Sequence, residues 1–283
     1  MQIKRRQKLQ AKADNRILLV AFIFMCCAFF AALARADVRR VEGLEFSQVH
    51  LLGDNQLEFT QSEATVLKVL GDKSDLENLP FVVKGDTLYL GITAQNEKAS
   101  KMKFKLTAAR LESLVLNGSG EAFVKPLAVE NLLVAVEGSG VIRMFDVQAL
   151  ELEMRVIGSG ALQAVDVKAG DARLSMQGSG DIQLGSLQAE SVKAHLAGSG
   201  DISIEEGGQT DRIKVAVMGS GDVDLGQMSA REAVVTIMGS GDVELRAEES
   251  LDVEIMGSGD LAYYGTPEVS TSVMGSGEVL QRD

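Results

Sequence analysis

The sequence predicts an all-β fold, a parallel β-helix built from coils of about 20 residues. Three observations predict it. A Gly-Ser-Gly signature occurs nine times, opening at Gly118, Gly138, Gly158, Gly178, Gly198, Gly219, Gly239, Gly257 and Gly275, at intervals of 18 to 21 residues. Apolar residues hold fixed offsets from that signature through every copy. Helical periodicity is hard to find beyond residue 36.

The chain of 283 residues opens on a basic, polar stretch, Met1 to Arg16, followed by 17 uncharged apolar residues, Ile17 to Leu33, and then Ala34-Arg35-Ala36. This order is that of a secretory signal peptide over 1–36 with an A-x-A cleavage site. An uncleaved signal-anchor helix over 17–33 is the alternative, because 17 residues is long for a signal core and short for a membrane span. Either way the body is expected on the far side of the membrane, and only this segment would touch the bilayer. Both cysteines, Cys26 and Cys27, lie in it, and Phe24-Met25 lacks the small residues of a lipoprotein cleavage site. The body therefore has no thiol for a disulfide, a nucleophile or a thiolate metal site.

Residues 41–117 are rich in strand patterns but lack the signature. Leu44 to Val49, Gln56 to Thr60 and Thr65 to Val69 alternate in part, and Lys84-Gly85-Asp86 separates two short apolar runs as a hairpin turn would. This segment is expected to form atypical coils that cap the first end of the solenoid.

From residue 118 to 283 the register is strict. One apolar column runs two residues after each signature, Ala122, Ile142, Leu162, Ile182, Ile202, Val223, Val243, Leu261 and Val279. A second runs two further on, from Val124 and Met144 to Leu245 and Tyr263, and a third two before the signature, from Leu116 and Val136 to Ile255 and Val273. Alternate residues of a strand share a face, so these columns should point inward and stack coil on coil. Arg143, Gln163, Gln183, Ser203, Asp224 and Glu244 fall between two of the columns and should point outward, with Phe123 the exception. Each coil is expected to consist of two or three short strands bent at Gly-Ser-Gly. Eight intervals at the ~4.8 Å strand spacing make a regular rod of about 38 Å.

The repeated Gly-Ser-Gly-acidic-aliphatic units, together with Gly43 to Val49 and Lys84 to Leu90 upstream, resemble a bacterial family, the putative auto-transporter adhesin, head GIN domain. The resemblance covers nearly all of the body, approximately residues 44–265. It implies a right-handed parallel β-helix and an envelope or surface location. It implies no established activity and brings no catalytic residue or cofactor. Val141 and Ala161 depart from the pattern where the family has an acid.

Charge narrows the partners. Formal net charge is −12, and the body without residues 1–36 holds 21 basic and 39 acidic residues, about −18. Such a surface repels nucleic-acid phosphates. An unknown protein or glycan at the envelope is the expected partner, and the oligomeric state is left open.

Three exposed columns could carry chemistry. The residue after the signature is acidic in seven of nine copies, including Asp181, Asp201, Asp222, Asp242 and Asp260. Carboxylates stacked ~4.8 Å apart in water repel by roughly 0.9 kcal/mol per pair. Either each accepts backbone hydrogen bonds at the turn, or the row holds hard cations. One or two carboxylates per site are fewer than a calcium cage uses, so these aspartates are read as turn residues and as metal candidates only in second place. The serines, Ser119 through Ser276, form an unbroken column, but a nucleophile needs a base, and the chain has only His50 and His195. A hydroxyl ladder is expected there instead. The residue before the signature is Met218, Met238, Met256 and Met274 in the last four copies, a candidate interaction face unless a neighbouring segment or a second molecule covers it or the bend turns it inward.

The expected function is that of a non-enzymatic, exported envelope or surface rod, adhesin-like in presenting ladders for interaction, with no cofactor. Two alternatives are a carbohydrate-active β-helix enzyme and a membrane-anchored periplasmic accessory or signalling protein. Intervals of 18 to 21 residues leave no room for the long loops that build a catalytic groove.

Overall fold

A computed structural model describes residues 37–71, 76–99 and 102–283. The signal or anchor segment, residues 1–36, lies outside them. All twenty named elements among the described residues are β-strands joined in one continuous ladder, so the fold is the expected parallel β-helix. Among the described residues no helix is long and apolar enough to cross a membrane.

The regular part begins with β8 (Ser113–Gly118), β9 (Glu121–Val124), β10 (Leu127–Ala128) and β11 (Asn131–Gly138). It continues as one long strand per coil: β12 (Val141–Gly158), β13 (Ala161–Gly178), β14 (Asp181–Gly198), β15 (Asp201–Gly219), β16 (Val223–Gly239) and β17 (Val243–Gly257). The last coil is β18 (Leu261–Tyr264), β19 (Glu268–Gly275) and β20 (Val279–Gln281). Two or three short strands per coil were expected. Between residues 141 and 257 each coil is instead one strand that ends only near the signature, while its pairing shifts register between Leu184 and Ser186, Ser203 and Gly208, and Leu225 and Ser229. From β12 to β14 parallel neighbours in identical register supply partners over most of the coil, even where the chain curves.

All three apolar columns face inward. Ile142, Leu162, Ile182, Ile202 and Val223 are at most 1% exposed, and the other two columns are at most 5% exposed up to the last coil. Each buried aliphatic side chain is worth about 1.5–3 kcal/mol, and one contiguous core follows the whole axis.

The N-terminal cap has its own construction. β2 (Gln48–Gly53) and β3 (Gln56–Gln61) stack parallel beneath β8 and β9, with Gly53-Asp54-Asn55 at the place of the signature. β6 (Thr87–Leu90) then lies under β2, and β7 (Lys103–Ala108) under β3. The sheets finish on antiparallel strands, β5 (Phe81–Lys84) against β6 and β4 (Val66–Gly71) against β7, with β1 (Asp37–Glu42) beside β4. Here the core contains the two bulkiest buried side chains, Phe59 and Phe104, each at most 1% exposed. Phe46, Leu76 and Phe81, partly buried, pack against the core.

Candidate interaction face

The site is built around the bend. The first glycine of every signature has φ between +117° and +140°, a region that side chains strongly disfavour. A Cβ on Gly138 would lie 2.5 Å from the Gly118 carbonyl oxygen below it, and one on Gly140 would lie 2.6 Å from that of Gly120. The coils thus approach too closely for any side chain at either position. The serine between them is exposed in all nine copies. Its amide donates to the first glycine's carbonyl one coil down, as from Ser139 to Gly118 (3.0 Å) and from Ser240 to Gly219 (2.8 Å). A ladder of main-chain bonds therefore runs along the bend. The expected hydroxyl ladder has one rung among the described residues, Ser276 Oγ to Ser258 Oγ at 3.1 Å.

The acidic column lies beside it. From the Met-containing copies onward, each acidic residue's amide donates to the aspartate carboxylate of the preceding coil. Asp222 N–H reaches Asp201 Oδ1 at 3.1 Å, and those of Asp242, Asp260 and Glu278 reach Asp222, Asp242 and Asp260 at 2.9 Å. In the earlier copies the same amide donates to a glycine carbonyl, as from Asp201 to Gly180 (3.2 Å). The carboxylate thus replaces a backbone acceptor. A charge-assisted bond of this kind offsets the repulsion between stacked charges. Partial burial and the neighbouring Asp201 carboxylate push the Asp181 carboxyl above its usual range, against the pull of the Asp201 amide. Among the described residues no group of three or more His, Cys, Asp or Glu side chains gathers where it could hold a metal.

On the other flank of the bend stand Met218, Met238, Met256 and Met274, in direct register on consecutive coils. Met218 and Met238 are 37% and 38% exposed, Met274 is 57% exposed, and Met256 is partly buried. One edge of the rod therefore carries a thioether row and a carboxylate row, with exposed serines between them.

The outward column between the inner ones is half-buried and internally paired. Arg143 donates to Gln163 (3.1 Å) and forms an ion pair with Glu121, and Gln163 donates to Gln183 (2.9 Å). Phe123, the exception in that column, meets Phe145 edge-on with ring centroids 5.1 Å apart. The histidines are far apart in the fold. His50 sits on β2 against Tyr89 at 5.0 Å, its pKa lowered by burial, while His195 lies half-buried on β14 between Ser175 and Ala216.

Two features escaped the sequence reading. Asn55, fully buried, replaces the second glycine of a signature, donates to the Leu52 and Ala99 carbonyls, and accepts from the Met102 amide (2.9 Å). Gly53 and Asn55 spaced like the two signature glycines were the available signal. In addition, an open cleft lined by Arg40, Thr60, Lys68 and Lys105 surrounds Glu58, which bonds Lys125 (2.7 Å) and Lys105 (3.5 Å). Burial raises the Glu58 pKa, but the two lysines outweigh it and hold the carboxyl below its usual value.

Comparison with known proteins places this geometry. No curated protein matches the sequence. Among solved structures, a putative adhesin from Parabacteroides merdae superposes with a TM-score of 0.69 at 17% identity, covering 88% of this chain and 97% of that one. A putative adhesin from Parabacteroides distasonis gives 0.67 at 18% identity, with the same shares of 88% and 97%. A putative lipid binding protein from Parabacteroides distasonis gives 0.64 at 25% identity, covering 88% and 98%. These likenesses concern the fold. The family described as "Putative auto-transporter adhesin, head GIN domain" matches residues 45–205 and again 158–267, which together span more than half of the sequence, so the chain belongs to that family.

Proposed function

We propose that this chain is an exported, non-enzymatic rod of the bacterial envelope or surface, which engages a protein or glycan through the ladder of its bend edge. The observation that carries the proposal is the pairing of Met218, Met238, Met256 and Met274 with the carboxylates of Asp222, Asp242 and Asp260 along one edge of a rigid stack. Methionine is adaptable and recurs on binding surfaces, while the carboxylates select against anionic partners. Membership of a family described as adhesin-like supports the same reading. The basic and then apolar start of the sequence supports export. Neither His50 nor His195 stands opposite a signature serine in the ladder. The test is fractionation of the native cells combined with protease added from outside. The body should be found in the envelope and be digested on intact cells. Recovery in the cytoplasm would sink the proposal. Digestion only after the outer barrier is opened would replace the surface adhesin by a periplasmic protein.

A further inference from the structure

The last coil ends the sheet on an edge that remains fit for pairing. β19 pairs in parallel with β17, and no described strand lies on its other side. All eight of its residues are exposed. Val269, Thr271 and Val273 continue the columns of Leu251, Val253 and Ile255, which are at most 1% exposed, yet Val269 and Val273 themselves are 37% and 41% exposed.

Exposed edges are normally blunted by charge, proline or brevity. From Val269 to Gly277 there is neither a charge nor a proline, in a chain whose formal net charge is −12. The opposite end is blunted in the usual way. β5 has four residues, and β1 carries Arg39, Arg40 and Glu42. One copy's beginning therefore offers no matching strand to another copy's last coil, and head-to-tail stacking into a filament is disfavoured.

We propose that β19 pairs antiparallel with β19 of a second copy, about a two-fold axis at Thr271, so that two rods join at their C-terminal ends. The sequence of the strand is self-complementary in that register. Val269 of one copy falls opposite Val273 of the other, so inward residues meet inward residues across the interface. Glu268 falls opposite Met274, so no like charges oppose each other on the strand. Shifting the axis by half a residue would set inward positions against outward ones and lose the continuous core. Both copies are acidic, so screening by salt strengthens the pair.

Sedimentation velocity on the full-length chain, in mild detergent, tests this. The wild type should form a dimer that tightens with added salt. Thr271→Lys should weaken it by at least about 100-fold while leaving the circular dichroism spectrum of the β-helix unchanged. Thr271→Cys should form a disulfide to its own copy, identified by mass as the peptide joined to itself, whereas Ser240→Cys on the distant bend should not. A wild type that stays monomeric at about 100 μM would overturn the proposal. So would a dimer indifferent to Thr271→Lys, or a Thr271→Cys disulfide in cells to a different protein.

Discussion

At the N-terminal end of the solenoid, Phe59, Phe104 and Leu67 are at most 1% exposed beneath antiparallel strands and a plug of Phe46, Leu76 and Phe81. At the C-terminal end, Val269 and Val273 occupy the same kind of inward position and are 37% and 41% exposed. The first end departs from the repeat, reverses strand direction and uses large side chains. The second keeps the repeat through the signature at Gly275. The difference teaches that an inward position in a stacked fold is a property of the column and of what stands above it. Stability is shared between each coil and its neighbours, so a terminal coil receives half of what an internal one does.

The comparison can be broken most forcefully with one substitution made twice. Ile202→Asp buries a charge inside the stack and should destabilise by several kcal/mol. Val273→Asp, in a corresponding inward column of the last coil, should cost within about 1 kcal/mol. Urea unfolding, at concentrations too low for association, measures both. Equal costs would mean that the terminal coil is as tightly sealed as the middle. The cap is tested next. Phe59→Ala should cost about 3–5 kcal/mol, because the closed end cannot collapse onto the void. A cost below about 1 kcal/mol would show the cap to be dispensable.

Smaller effects sharpen the comparison along the bend. Asp222→Asn keeps an acceptor for the Asp242 amide and removes one like charge from the column. It should change stability by less than about 0.5 kcal/mol. Millimolar calcium should leave the wild-type melting temperature where it is, since a ligand bound only by the native state must raise it. A rise of many degrees, lost in Asp222→Asn, would make the column a cation site. The smallest effect concerns Asp181, whose carboxyl is pushed above its usual range by burial and by Asp201. The folded state then holds that proton more tightly than the unfolded one, so its ionisation subtracts stability as pH rises above about 4. Asp181→Asn should match the wild type in acid and exceed it toward neutrality. Parallel pH profiles would show that Asp181 does not feel its neighbour.

The inward columns were legible because they repeat two periods at once, alternation along the strand and about 20 residues around the coil. No single coil would have been decisive, but Ile142, Leu162, Ile182 and Ile202 reinforce one another. In the cap the strands and the hairpin at Lys84-Gly85-Asp86 were legible, but the remaining pairings were not. The antiparallel turn-back of β4 onto β7 leaves no periodic mark, and Asn55 hides a signature position behind a different residue type. On the bend edge, sequence placed the acidic and methionine rows side by side. It could not say that the carboxylates take over a backbone acceptor, because that depends on the orientation of one peptide group between Gly221 and Asp222.

The intervals between signatures vary from 18 to 21, yet Gly198, Gly219, Gly239 and Gly257 stand in direct register above one another. The added or missing residues are absorbed elsewhere on the circumference, at the shifts between Leu184 and Ser186, Ser203 and Gly208, and Leu225 and Ser229. The bend acts as a spine that fixes axial rise, while the opposite arc is free to vary in girth. Length and girth are therefore inherited separately. Duplicating or excising one whole coil changes the reach of the rod by about 4.8 Å and leaves every remaining interface of the same kind. Gain or loss of whole coils makes the repeat a ruler with coil-sized divisions.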